Sequence, residues 1–174
     1  LIPYFSMIDS IFSLSDYIHL LPFFNLLEVS PVFRLFPMID SKNPNEYVLY
    51  FKDGALGLPG REYYLEKKYA KECDLYKKYM IKMSKECGLE CTSKDILQVF
   101  NFEKKLASAY LPPEKKRNVV KNYNKMTISS IDDDILSLSD YLVMTTNITG
   151  LDFCKQKNII VEDINVIKKI KTVL

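Results

Sequence analysis

One stripe of side chains constrains this chain more than any other feature. Tyr69, Cys73, Tyr76, Met80, Met83 and Cys87 recur at spacings of 4, 3, 4, 3 and 4. That rhythm follows the helical repeat of about 3.6 residues and cannot alternate across a strand, so it predicts a helix from about Glu62 to Cys87. Lys71, Glu72, Lys78 and Lys85 take the remaining surface, and Gly88 supplies a natural stop. A helix this long with one apolar stripe needs partners to pack on. Met80 and Met83 read as core filler within that stripe.

The following segments also read as helices. Thr92-Ser93-Lys94-Asp95 approximates a capping box with Asp in place of the usual Glu. It opens a helix with Ile96, Val99, Phe100, Leu106 and Tyr110 inward, closed by Pro112-Pro113. A third helix is expected from about Glu114 to Lys125, with Val119, Val120 and Tyr123 inward. A fourth, capped by Ser130, runs from Ile131 to about Val143, and Asp132, Asp133 and Asp134 suit the positive end of its first turn. A short fifth covers residues 150–156. Ile159-Ile160-Val161 is a brief strand, and Glu162-Asp163 opens a last helix with Ile164, Ile167, Ile170 and Leu174 inward.

The first 45 residues are broken by Pro3, Pro22, Pro31, Pro37 and Pro44, and short helices are expected only near residues 8–20 and 23–29. Tyr47-Val48-Leu49-Tyr50-Phe51 is β-prone, Asp53-Gly54 is a turn signal, and Leu56 and Leu58 suggest a second short strand before Pro59. The expected fold class is therefore mainly α, a helical lobe with a small β-hairpin near residues 47–58. Ser-Leu-Ser-Asp-Tyr occurs twice, at residues 13–17 and 137–141. Its flanks diverge, so it reads as a reused helix-opening sequence and not as a repeat architecture.

A chain of 174 residues suffices for one domain. Twelve tyrosines, 10 phenylalanines, no tryptophan and 5 glycines suit helices packed through semi-polar faces. A net charge of +2 from 24 basic and 22 acidic groups supplies no strong field for nucleic acid or an anionic membrane. Lys115-Lys116-Arg117, the densest basic cluster, reads as a solvated helix face. No leader or spanning segment is visible, because Pro22, Asn25, Glu28 and Pro31 interrupt the apolar stretch from Leu20 to Val32. The start at Leu1 and the helical pattern running to Leu174 predict a piece of a larger protein.

The chemistry-bearing residues are few. Cys73, Cys87, Cys91 and Cys154 allow up to two disulfides, with the pairing open. Cys87 and Cys91 have a loose metal-ligand spacing but no neighbouring histidine. The single histidine, His19, sits in an apolar setting that suits a structural role. Asp53-Gly54-Ala55-Leu56-Gly57 lacks the spacing and the Lys of a phosphate loop. The aspartates at 132–134 lack calcium-loop spacing. Glu103, between Phe102 and the Leu106 turn, is the one carboxylate in a partly apolar setting, with Lys104 or Lys105 as expected partners. Asn147-Ile148-Thr149 is an N-glycosylation acceptor if the protein is secreted. No catalytic or metal-ligating residue emerges.

Several of these pieces resemble, in order, the amino-terminal part of the M13 (neprilysin-like) zinc metallopeptidases. The match runs from Pro31-Val32-Phe33 and Asp40-Ser41-Lys42-Asn43-Pro44 into Leu56-Gly57-Leu58-Pro59-Gly60-Arg61-Glu62-Tyr63-Tyr64. Gly60 stands where the family usually has Ser or Asp. Phe102-Glu103-Lys104-Lys105-Leu106-Ala107, Tyr123-Asn124-Lys125-Met126-Thr127 and the Ile159 strand follow in the family's order. The resemblance implies a domain over residues 31–174, an incomplete M13 amino-terminal helical domain, preceded by a poorly defined segment, 1–30. It implies a fragment of a two-lobed peptidase in which this lobe lines and restricts a substrate cavity. The parent would cleave peptides and small proteins with Zn2+, held by a carboxy-terminal catalytic lobe that carries a His-Glu-x-x-His helix. That lobe and peptide substrates are the implied partners, and an extracellular or cell-surface location is implied. No zinc ligand of the family maps onto this chain, which has one histidine. The other reading is a truncated, inactive relative serving as a helical interaction module. Cys73 matches a family cysteine whose partner would fall near Leu65 or Glu66, and neither is Cys.

Overall fold

The computed structural model describes residues 2–131 and 137–174. Two helices, α1 (Ile2–Asp9) and α2 (Leu14–Leu26), precede a hairpin of β1 (Phe33–Asp40) and β2 (Asn43–Asp53). Then come α3 (Arg61–Leu65), α4 (Ala70–Glu86), α5 (Ser93–Ala109) and the single turn α6 (Pro113–Lys116). The chain ends in β3 (Asn124–Thr127), α7 (Leu138–Thr149), β4 (Asn158–Val161) and α8 (Ile164–Val173). This is the expected mainly α lobe, organised around one four-stranded sheet of order β1-β2-β4-β3.

The sheet's two faces follow from strand alternation. Phe33, Leu35, Leu49, Phe51, Ile159 and Val161 point to one side, where they join Ile18 and Leu21 of α2, Tyr141 and Leu142 of α7, and Ile167 and Ile170 of α8. The Phe33 and Phe51 rings stack at 5.0 Å in the middle of this core. Val48, Tyr50 and Ile160 point to the other side with Phe36 and Tyr123. A separate cluster of Leu58, Tyr64, Phe100 and Ala107, flanked by Cys73, Tyr76 and Met80, holds α3, α4 and α5 together.

Local signals set several boundaries as expected. Thr92 Oγ1 accepts from the Asp95 amide while Asp95 accepts from the Thr92 amide, a complete capping box. Gly88 follows α4 with φ of 73°, the left-handed region that favours glycine. Ser13 and Ser137, the first serines of the two identical pentapeptides, each accept from the amide three residues on. The two helices they open, α2 and α7, pack on each other.

Elsewhere the structure departs from expectation. The hairpin is β1–β2, and residues 54–58 form no second strand after Asp53-Gly54. The chain turns at Ser41-Lys42, where Asp40 Oδ1 accepts from the Lys42 amide at 2.9 Å. Pro37 obscured β1 but is tolerated because β1 is an edge strand. Gly54 instead runs close beside the Ser30–Val32 backbone, its amide bonding to Val32 O at 3.0 Å. Likewise α2 continues through Pro22, which lies buried with Ile18 and Leu21.

The long helix is interrupted at Glu66, whose φ and ψ of −103° and 130° are extended. A 3-10 turn at Lys67–Tyr69 follows, and the Tyr63 and Tyr69 rings stack at 4.2 Å across the break. Cys73, Tyr76 and Met80 pack inward as the stripe requires, whereas Met83 is exposed. Val99 is exposed on α5.

The third helix shrinks to α6: Val119 and Val120 are 69% and 82% exposed, and residues 124–127 pair with β4 as a strand. Val and Asn are modest helix formers, so a ladder partner wins over local propensity. The fourth helix starts at Leu138, capped by Ser137, while Ser130 closes a 3-10 turn by donating to Thr127 O at 2.6 Å. The three aspartates at 132–134 lie outside the described residues. Asp163 caps α8 as expected, but Val166, Ile167 and Ile170 are its buried residues, with Ile164 and Leu174 only half-buried.

Candidate functional site

The motif Leu56–Tyr64 forms an irregular loop that leads into α3 and lies against α5. Glu103, on α5, is its hub. Its Oε1 accepts from the Tyr76 hydroxyl at 3.0 Å and the Gly57 amide at 3.3 Å. Its Oε2 accepts from the Tyr64 hydroxyl at 3.0 Å, and Tyr64 in turn accepts from the Leu58 amide at 2.9 Å. Neighbouring lysines are not its partners, contrary to expectation, because Lys104 and Lys105 project from the exposed face of α5. Burial first, and then the Glu103 charge, push both tyrosine hydroxyls well above their ordinary pKa, so they remain donors.

The flanking motif residues complete this seam. Arg61 Nε donates to Ala107 O at 3.0 Å, tying α3 to α5. Leu58 is buried, and Leu56 touches both the main core and the α3–α4–α5 cluster. Pro59 is exposed at the turn into α3. Tyr63 O accepts from the Cys73 thiol at 3.0 Å.

Tyr123, Asn124, Lys125 and Met126 gather at a second place, on β3 and immediately before it. Tyr123 donates its hydroxyl to the Asp40 carboxylate, lying 2.9 and 3.1 Å from its oxygens, and Lys125 Nζ bonds Asp40 at 2.8 Å and Glu46 at 3.3 Å. Asn124 Nδ2 donates to Val161 O and Glu162 O at 3.0 and 3.2 Å, and Met126 packs on the main core. Asp40, 1% exposed, is the centre of this group, and the sequence marked it only as a member of a motif. The Asp40-Ser41-Lys42 turn was the available signal.

Lys125 chiefly, with the Lys42 amide next, lowers the Asp40 carboxyl from 3.8 to about 2. A depressed carboxyl stabilises the fold fully above its unfolded value, and that contribution is lost as pH falls through about 2. Urea midpoints of the wild type should therefore exceed those of Asp40→Asn at pH 6. The gap should close as pH drops from 3.8 towards about 2. A gap of constant size down to pH 2 would contradict this.

Among the described residues, the four cysteines are free thiols, and no group of three or more His, Cys, Asp or Glu is placed to hold a metal ion. His19 is half-buried on α2. Asn147 is exposed in the last turn of α7, where the Thr149 hydroxyl donates to Thr145 O at 2.7 Å. No described helix is long and apolar enough to cross a membrane. A cleft of roughly 540 Å3 opens between α2, β1 and α7, lined by Asn25, Leu26, Arg34 and Tyr141 among others. None of these arrangements pairs a nucleophile with a base. The two motif clusters spend their polar groups on one another, fixing the loop to the helices and the sheet to its turn.

The most distinctive motif side chains of this mainly α lobe hold its own parts together. Comparison with known proteins gives it a family. The model of the amino-terminal part of "Peptidase family M13" matches residues 1–174, and the chain belongs to that family. Human endothelin-converting enzyme 1 is 29% identical over 149 residues, covering 83% of this chain and 19% of that protein. Neprilysin-1 of Caenorhabditis elegans is 31% identical over 164 residues, covering 84% and 21%. The chain thus spans about a fifth of the length of the relatives it matches. Among solved structures, the Mycobacterium tuberculosis zinc metalloprotease Zmp1 in an open state superposes with a TM-score of 0.81 at 18% identity. That match covers 96% of this chain and 26% of Zmp1, and at such identity it speaks for the fold alone.

Proposed function

We propose that this chain is the non-catalytic amino-terminal lobe of a zinc metalloendopeptidase. In this reading it lines the substrate cavity and limits entry to peptides and small proteins, while the carboxy-terminal lobe of the same protein hydrolyses the peptide bond. The observation that carries it is the family match over residues 1–174 together with a chain holding one histidine. Zinc sites of the expected kind take two histidines and a carboxylate, leaving a position for water. The residues of this chain do not fit such a site, and no step of the reaction is assigned to them. Zinc belongs to the complementary lobe.

The test compares the protein expressed from its full reading frame with residues 1–174 alone, on a fluorogenic peptide and on a folded protein of larger size. The full protein should cleave the peptide, lose activity to a zinc chelator and leave the folded protein intact. The 174-residue chain should stay at the buffer rate. Chelator-sensitive hydrolysis by residues 1–174 alone would overturn the assignment.

A further inference from the structure

We propose that the loop after α6 is a proteolytic processing site, cut between Arg117 and Asn118 by an endoproteinase specific for paired basic residues, and that the nicked lobe stays assembled. Lys115-Lys116-Arg117 is the only run of three adjacent basic residues in the chain. Every residue from 113 to 121 is exposed, and α6 is a single turn with no regular element after it until β3.

The chain's other adjacent basic pairs make an internal comparison. Lys77-Lys78 lies inside α4, Lys104-Lys105 inside α5 and Lys168-Lys169 inside α8. Lys67-Lys68 lies in the 3-10 turn abutting α4, with Lys68 paired to Glu66 at 2.7 Å and set over the Tyr69 ring. A proteinase binds its substrate as an extended strand, so a helical pair is presented only after the helix unravels. The segment at 115–117 needs only the single exposed turn α6 to open, and exposed segments of this kind are where chains are nicked.

What holds the loop is polar. Asn122 Nδ2 donates to the carbonyls of Lys115 and Lys116, 3.0 Å each, and the Lys121 amide donates to Asn118 Oδ1 at 3.0 Å. Lys116 Nζ meets Asp53 at 2.6 Å. No apolar anchor adds to these, since Val119 and Val120 point into solvent. Opening therefore breaks a few exposed hydrogen bonds and the Lys116–Asp53 ion pair, and leaves the core untouched. In the cut itself, water adds its hydroxyl to the Arg117 carbonyl carbon and a proton to the departing Asn118 nitrogen, giving a carboxyl and an amine. Acidic subsites of the proteinase take the Arg117 guanidinium and the Lys116 ammonium.

The sheet explains why the product holds together. β2, before the cut, pairs directly with β4, after it, and β3 pairs with β4 on the far side. The Tyr123 and Lys125 contacts to Asp40 also cross the cut.

The experiment uses the protein from its full reading frame and a limiting amount of a subtilisin-type paired-basic endoproteinase. A new amino terminus at Asn118 should appear before any other, and the two pieces should separate only in denaturant. Arg117→Gln should slow this cut at least about a hundredfold, because a subsite built for a cation rejects a residue lacking it. Asn122→Ala should speed it about fivefold, through the larger open population left when two bonds are removed. A synthetic peptide of residues 110–124 reports that the proteinase accepts the sequence, independently of folding. The proposal is overturned if the peptide is cut while the folded protein resists, if the first cut falls at another basic pair, or if the pieces part without denaturant.

Discussion

Replacing Gly54 by alanine should cost this lobe about 3 kcal/mol or more, a large share of the roughly 5–15 kcal/mol that holds a domain folded. A Cβ at that position would lie 2.4 Å from Ser30 O, 2.6 Å from Val32 C and 2.8 Å from Phe33 N. All three are backbone atoms, so no rotamer change relieves the overlap. The facing segment cannot retreat either. Val32 and Phe33 are fully buried, Val32 O accepts from the Gly54 amide at 3.0 Å, and the Tyr110 hydroxyl donates to the same oxygen at 2.7 Å. Gly60→Ala is the control, because its Cβ would meet only the end of the Glu62 side chain. Urea midpoints should fall steeply for the first variant and hardly move for the second. Equal midpoints would mean that the approach at Gly54 is looser than described.

Glu103→Leu should be comparably damaging, at about 3–5 kcal/mol. The carboxylate accepts from two tyrosine hydroxyls and one backbone amide, and hydrogen bonds to a charged group are worth about 1.5–3 kcal/mol each. Leucine would leave those donors facing an apolar side chain, which is worse than losing the bonds. Glu103→Gln should recover only part of the loss, since its amide nitrogen cannot accept. Besides urea midpoints, alkylation of Cys73 gives a local reading: its half-buried thiol, bonded to Tyr63 O, should react faster as α3 and α4 loosen. A Glu103→Leu variant with wild-type stability and unchanged Cys73 reactivity would remove the carboxylate from its place as hub.

The contrast between what the residues foretold and what the fold contains follows a physical line. Thr92 with Asp95, Gly88 and Asp163 were legible because capping involves residues a few positions apart. The α4 stripe was legible because periodicity belongs to one element. Tyr123-Asn124-Lys125 reads from sequence as the end of a helix because its strand partner, β4, lies far along the chain. Glu103 was assigned lysine partners by proximity in sequence, but the tyrosines that bind it come from α3 and α4. Asp40 was visible only as a motif member, not as a hub, for the same reason: Tyr123 and Lys125 reach it only once the sheet exists. In the candidate site, the motif residues were visible individually. Their division into two clusters was not, since neither cluster is built from one stretch of chain.

The parallel pairing of Leu49-Tyr50-Phe51 with Ile159-Ile160-Val161 also sets an order of events during synthesis. The β1–β2 hairpin is complete once Asp53 has emerged, but the edge of β2 that β4 will cover stays open until roughly a hundred further residues have followed. At ribosomal rates of about 5–20 residues per second, that is a wait of about 5–20 seconds. Through this interval Val48, Leu49, Tyr50 and Phe51 present an apolar strand edge of the kind that recruits neighbouring chains. The helices α3, α4 and α5 can form meanwhile from local contacts. The sheet, by contrast, is the slow step, and nascent chains stalled before Asn158 are the ones most exposed to aggregation.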